Sequence, residues 1–307
     1  MIRTRRSDPA ATDRPLWELV ARGWPEEERG GQLETVARLV SAGKADSLVV
    51  LAAYAGEQLV GAAFAQMLAG RAAVIAPPQT LDVAFSEVAA VEDALLTAAL
   101  RELHTGGMHL AQCLLPFGDA AAAAVIRRAG FTHSADLLYL VASSESFPAA
   151  PLKQPFELEP WNEADQPRLI RILDETYAGT LDCPEIDGLR DTADVLRGHL
   201  ATGEYRPELW QIVRQNSRDV GCLLVALHPA GPHCELVYVG VVPSVRGAGW
   251  GIELTRHAQW LSRRVGAERL VLAVDAANEP AVRTYVAAGF AAWDRRQLWI
   301  KSLKIPK

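Results

Sequence analysis

Apolar residues recur along the second half of the chain at two spacings, and these mark out a series of elements. Phe156-Glu157-Leu158-Glu159 alternates as a half-buried strand does. Over residues 164–177, Leu169, Ile170, Leu173 and Tyr177 fall at helical spacing, and Thr192–Leu200 repeats that pattern more weakly. Strands are predicted over 209–214, 220–227 and 234–242; the last two are almost continuously apolar, as central strands are. A helix over 251–265 places Ile252, Thr255, Ala258, Leu261 and Val265 on one face, and 270–274 reads as a short buried strand. Asn278 is a plausible N-cap, with Pro280 in the first turn and Gly289 ending a helix at Ala288. A final strand pair is expected, its last member at 297–303. Interleaved strands and helices predict an α/β fold with an α+β mixed sheet.

A break falls near residue 150. Ser143-Ser144-Glu145-Ser146-Phe147-Pro148-Ala149-Ala150-Pro151 follows a strand-like run over 137–141, and small residues with prolines there read as a linker. A chain of 307 residues suits two domains, expected at 1–147 and 152–307. The halves also resemble each other. At one constant offset, Ala129-Gly130-Phe131 falls on Ala288-Gly289-Phe290 and Asp119 on Asn278; upstream, Val60-Gly61 falls on Val220-Gly221. A duplicated unit is the reading.

Composition narrows the function classes. Half the residues are hydrophobic, enough for buried cores. The 31 basic against 37 acidic residues leave a net charge of −6, which argues against a dedicated nucleic-acid binder. No apolar run approaches the ~18–20 residues of a membrane span, and Met1-Ile2-Arg3-Thr4-Arg5-Arg6 leads into polar sequence without a secretory core. Four cysteines are too sparse for a disulfide framework, so a reduced cytoplasmic chain with no membrane partner is expected. Cys222, His228, His233 and Cys234 crowd together without a zinc-finger spacing, and no metal is expected.

The chemistry concentrates in Val241-Val242-Pro243-Ser244-Val245-Arg246-Gly247-Ala248-Gly249-Trp250-Gly251, between a buried strand and a helix. A glycine-rich turn opening a helix presents backbone N–H groups and the positive end of the helix dipole to an anion. Arg246 adds a permanent cation, so a pyrophosphate cradle is the physical reading. A Walker loop is absent, and Gly-x-Gly-x-x-Gly fails because its third glycine would fall at Ile252. What remains, Arg246 with Gly249 and Gly251, fits Gln/Arg-x-x-Gly-x-Gly/Ala. This resembles the acetyl-CoA loop of the GNAT (Gcn5-related N-acetyltransferase) family. Val241-Val242-Pro243 before the loop, and Asn278, Ala281, Tyr285 and Gly289-Phe290 after it, resemble that family's flanking motifs. The resemblance covers roughly 155–305.

It implies two tandem GNAT-like acyl-CoA N-acyltransferase domains and acetyl-CoA as co-substrate. Val241 and Val242 would meet the pantetheine arm and acetyl carbonyl. The N–H groups of Gly247, Ala248, Gly249, Trp250 and Gly251, with Arg246, would hold the pyrophosphate, and Asn278 the CoA arm. Tyr285 would protonate the leaving thiolate. Glu235 stands where histone-acetylating members carry their base, and its odd parity with Val237, Val239 and Val241 puts all four on one strand face if no bulge intervenes; a water relay is the alternative base. Asp182, Glu185 and Asp187 either bind a cationic acceptor or form a solvated acidic loop. Trp250 either covers the phosphates or packs on the loop.

The first half lacks these features. No glycine occurs between Gly70 and Gly106, Arg246 has no counterpart, and Ile126 falls where Tyr285 stands. Residues 1–147 are therefore expected to be a degenerate, non-catalytic copy, in a layout similar to tandem members such as mycothiol synthase. The expected activity is transfer of an acetyl group to a primary amine of a small molecule or peptide, by direct attack in a ternary complex. A CoA-responsive binding protein without turnover, and acetylation of a thiol-sugar amine, are the alternatives. Acceptor identity and oligomeric state are not legible.

Overall fold

The structure, a computed structural model, describes residues 2–11, 13–81, 85–151, 155–228 and 231–304. Two compact units emerge: Met1–Ser134 with Gln297–Lys307, and Ala135–Arg296. This division differs from the expected one at 147 and 152. The serine- and proline-rich stretch before Pro151 belongs inside the second unit, and Leu152 lies outside the described residues. The physical reason is strand pairing.

The first unit runs β1 (Ile2–Ser7), α1 (Arg14–Ala21), α2 (Arg29–Ser41), β2 (Leu48–Ala55), β3 (Gln58–Leu68), β4 (Ala72–Ile75), β5 (Gln79–Thr80), α3 (Phe85–Thr105), β6 (Leu110–Pro116), α4 (Ala120–Arg128) and the start of β7 (Thr132–Ser143). Strands β1 to β4 pair antiparallel in sequence order. Strand β4 then runs parallel to β6 over three pairs, Ala72↔Leu110 to Val74↔Gln112. Val49, Leu51, Leu95, Leu103 and Ile126 fill the core between this sheet and α3 and α4.

The second unit holds the rest of β7, then β8 (Glu157–Pro160), α5 (Gln166–Tyr177), α6 (Thr192–Leu200), β9 (Trp210–Gln215), β10 (Arg218–His228), β11 (His233–Val241), α7 (Trp250–Arg264), β12 (Arg269–Asp275), α8 (Glu279–Ala287) and the start of β13 (Ala291–Ser302). Helix α5 forms because Leu169, Ile172, Leu173 and Thr176 give it one buried face. Asn278 caps α8, its Oδ1 accepting from the Ala281 N–H at 3.3 Å, as Asp119 caps α4 by accepting from the Ala122 N–H at 2.9 Å. Strands β8 to β11 pair antiparallel in order. The final strand pair expected from sequence is one long strand beginning at Ala291: residues 291–296 are too polar to signal a strand, and Trp293 is exposed.

Two pairings of β12 shape the second unit. Along one edge it is held antiparallel by β7 over its whole length, from Arg269↔Ser143 to Asp275↔Leu137. This is why residues 135–143, expected in the first domain, belong to the second unit. Along the other edge it runs parallel to β11 for three pairs only, His233↔Arg269, Cys234↔Leu270 and Glu235↔Val271. Beyond Glu235 the strands part. Among the described residues, no helix is long and apolar enough to cross a membrane.

Candidate active site

The parting of β11 and β12 opens a cleft of about 600 Å³. Its walls are residues 236–241 of β11, Ala273 and Val274 of β12, the glycine-rich loop with the first turn of α7, one side of α8, and the segment after α5. An unpaired strand edge presents main-chain donors and acceptors, so an extended ligand arm can lie along it as a further strand would. Of the residues singled out from sequence, Val241, Arg246, Gly247, Gly249, Trp250, Gly251, Asn278 and Tyr285 all line this one cleft. Val242, Ala248 and Glu235 are not among its lining residues.

The loop turns because Gly247 and Gly249 adopt φ of +78° and +80°, which side chains disfavour. Gly249 is the N-cap of α7 and carries no side chain to bond the first-turn N–H groups. Those donors face the cleft mouth, where a helix terminus favours an anion. Trp250, the first residue of α7, is buried against Phe156, with ring centroids 5.1 Å apart, and beside Val213, Val220 and Leu254. It anchors the helix start beneath the loop. Truncating such a side chain typically costs about 3–5 kcal/mol.

Arg246 braces the cleft. Its guanidinium donates to three backbone carbonyls: Val241 (3.2 Å), Gly179 (3.1 Å) and Thr176 (2.8 Å). It ties the end of β11 to the C-terminal end of α5, where a cation also suits the helix dipole. One planar fork thus fastens the glycine-rich loop to the opposite wall.

Tyr285 projects from α8 into the cleft and is 9% exposed, packed against Phe290. Burial, and secondarily the Asp182 carboxyl, push its phenol pKa well up, so it carries its proton across the neutral range. Asp182 and Asp275 clamp the opposite wall. Asp182 Oδ1 accepts from the Asp275 N–H at 2.9 Å, and Asp275 Oδ2 accepts from the Cys183 N–H at 3.2 Å. Asp182 remains exposed to solvent on one side, yet protein crowds its carboxyl. That desolvation raises its pKa; the Asp275 hydrogen bond opposes the rise and the Asp275 charge adds to it.

Glu235 corrects the parity argument. The β10–β11 register shifts between Leu224↔Tyr238 and Val225↔Leu236, so Val237 is an extra residue, a β-bulge. Before the bulge Cys234 bonds Ser262 of α7; after it Val239 and Val241 pack beside Trp250 and Leu254. Glu235 therefore faces away from Val239 and Val241, toward α5 and α6, as Tyr238 does. It occupies the last paired position before the strands part, and its carboxylate meets His228 Nε2 at 2.9 Å. The His228 ring stacks on His233 with centroids 4.7 Å apart. Tyr238 was not singled out from sequence. Its hydroxyl lies 2.8 Å from that of Thr176, and both residues line the cleft. No group of three potential metal-ligating side chains occurs among the described residues.

Residues 143–290 match the family model described as Acetyltransferase (GNAT) family. That segment, just under half of the chain, is similar to the GNAT family. A mycothiol acetyltransferase from Thermobispora bispora is 43% identical over 63 residues, 20% of this chain and 21% of the relative's own length. A GCN5-related N-acetyltransferase from Sphaerobacter thermophilus superimposes with a TM-score of 0.64 at 15% identity, over 100% of this chain and 97% of that one. A tandem GNAT protein from the clavulanic acid biosynthesis pathway does so with a TM-score of 0.51 at 12% identity, covering both chains completely. These likenesses carry the fold: two GNAT-like units, each built on a mixed sheet. The first unit keeps the parallel β4–β6 pairing and the capped α4 of its counterpart, but Ile126, fully buried, stands in place of Tyr285. Pro77-Pro78 follows β4 where the second unit has its glycine loop; residues 82–84, just before α3, lie outside the described residues.

Proposed function

We propose that the second GNAT unit transfers the acetyl group of acetyl-CoA to a primary amine of a small molecule or peptide. The observation that carries this reading is the parted β11–β12 pair leading to the uncapped start of α7, with Tyr285 lining the same cleft. The pantetheine arm lies along the free edge near Val241 and Val242, and the diphosphate rests on the N–H groups of 247–251. Asn278, whose Oδ1 caps α8, offers its NH2 group to the arm. Arg246 holds the loop and adds positive potential. The amine nitrogen attacks the thioester carbonyl carbon, the C–S bond breaks, and the Tyr285 O–H gives its proton to the departing thiolate. Glu235, at the apex of the parting, takes the amine proton through water; His228 sets its orientation. The first unit, with no acid at Ile126, is a non-catalytic copy.

The acceptor read most narrowly is a thiol-sugar amine, favoured by the match to a protein named mycothiol acetyltransferase. The test is release of free thiol from acetyl-CoA across a panel of monoamines, polyamines, aminoglycosides, amino sugars and peptides. Amine-dependent release that falls about 100-fold or more in Tyr285→Phe is expected. Acetyl-CoA binding without release for any amine would favour a CoA-responsive binding protein.

A further inference from the structure

Two tyrosines line the cleft, and the reaction as read above uses only Tyr285. The other, Tyr238 on β11, is held with unusual completeness. Its ring stacks on His199 with centroids 5.9 Å apart and meets Tyr177 edge-on at 5.4 Å. It also folds over Gly240, where any Cβ would stand 2.5 Å from its hydroxyl oxygen. Burial raises its pKa well above the ordinary value, so the phenol is neutral.

The direction of its hydrogen bond follows from proton counting. Thr176 Oγ1 donates to the Leu173 carbonyl at 2.9 Å, and a carbonyl has no proton to return. The single Thr176 proton is therefore committed within α5. The 2.8 Å contact between the two hydroxyls then has Tyr238 as donor and Thr176 as acceptor. With its own proton directed at Thr176, the Tyr238 oxygen has only lone pairs left to offer. Thr176 is 3% exposed, so water does not compete for this arrangement.

We propose that Tyr238 orients the acceptor: its phenol oxygen, fixed as a hydrogen-bond acceptor by the Tyr238–Thr176–Leu173 chain, receives an N–H from the amine that attacks. This deepens the acetyltransferase reading and rests on it. A primary amine suits such a group, because one N–H can be held while the lone pair faces the thioester. Carboxylates, phosphates and other groups without a proton to donate are disfavoured there, as is a nitrogen fully substituted by carbon.

The test needs no knowledge of the natural acceptor. Two thioether analogues of CoA serve as probes, CoA-S-CH2-C(O)-NHCH3 and CoA-S-CH2-C(O)-N(CH3)2. Only the first carries an N–H. Their binding and that of CoA are measured calorimetrically on the full chain, its Tyr238→Phe, Thr176→Val and Thr176→Ser variants. The wild-type protein is expected to prefer the methylamide by about three- to tenfold, the range of one neutral hydrogen bond. Tyr238→Phe should abolish that preference and leave CoA affinity unchanged. Thr176→Val, which frees the phenol to turn its proton into the cleft, should abolish it too, while Thr176→Ser keeps it. An undiminished preference in Tyr238→Phe, with CoA still bound, overturns the inference and leaves the acetyltransferase reading standing. Failure of the wild-type chain to bind CoA overturns that reading and the inference with it.

Discussion

Replacing Arg246 separates two roles that the sequence alone merges. In the structure its guanidinium donates to the carbonyls of Val241, Gly179 and Thr176, at 3.2, 3.1 and 2.8 Å. Two of these bonds are exposed and one is part-buried. Only the Gly179 and Thr176 bonds cross to α5 and the segment after it; about 0.5 kcal/mol for the exposed one and about 1 for the other gives about 1.5 kcal/mol holding that segment against the loop. That is roughly a tenfold change in local opening. Arg246→Lys keeps the cation and loses the fork, since one ammonium cannot reproduce its geometry to three carbonyls on two elements. Hydrogen exchange at amides 179–183 is expected to quicken by up to ~10-fold in Arg246→Lys and in Arg246→Ala alike. Acetyl-CoA affinity should fall by a similar factor in both. If Arg246→Lys instead retains wild-type exchange and affinity while Arg246→Ala loses affinity, the residue acts as a phosphate-binding charge and the brace is refuted.

Other expectations follow from the same geometry. Tyr285→Phe should lower kcat by about 100-fold or more with acetyl-CoA affinity near normal, measured by thiol release and calorimetry; unaltered turnover would remove the acid assignment. Glu235→Gln should shift the pH–rate optimum to alkaline values, where more of the amine is already neutral; an unmoved profile would remove it as base. Hydrogen bonds from Arg168 hold Asp219 and Glu159 below the ordinary carboxylate range, and Arg171 adds to the hold on Asp219. Depressed carboxylate pKa values stabilise the fold above the unfolded-state values of about 4, and that contribution is lost as pH falls through the folded ones. Asp219→Asn should therefore lower Tm by about 2–4 °C at pH 7, for about 1 kcal/mol, and converge on wild type near pH 2 in thermal melts. A deficit that persisted at pH 2 would point to packing instead of charge.

The elements that sequence periodicity locates are those whose pattern is local. Helix α6 spans Thr192–Leu200 as expected, and Asn278 caps α8 because a cap is written in one residue and its next three. The cleft was legible too, since the glycines that let the loop turn must be glycines. What escaped depends on partners distant in sequence. The bulge at Val237 arises from the β10–β11 register, and it sets which way Glu235 faces. Nothing near Tyr238 in sequence indicates that its hydroxyl meets that of Thr176, 62 residues earlier. Arg246 belongs to the loop motif, but two of its three acceptors lie on α5 and just beyond it, out of reach of any local pattern. The unit boundary was misplaced for the same reason: residues 135–143 precede the linker-like stretch yet complete the sheet through β12.

The central claim is that main-chain donors at 247–251 hold the diphosphate of an acyl carrier. Calorimetric titration of the full chain with acetyl-CoA and with S-acetylpantetheine, which lacks that diphosphate, tests it most directly. Saturable binding of acetyl-CoA, weakened at least tenfold for S-acetylpantetheine, is the expected result. Equal affinity for the two, or no binding of acetyl-CoA at millimolar concentration, would contradict it.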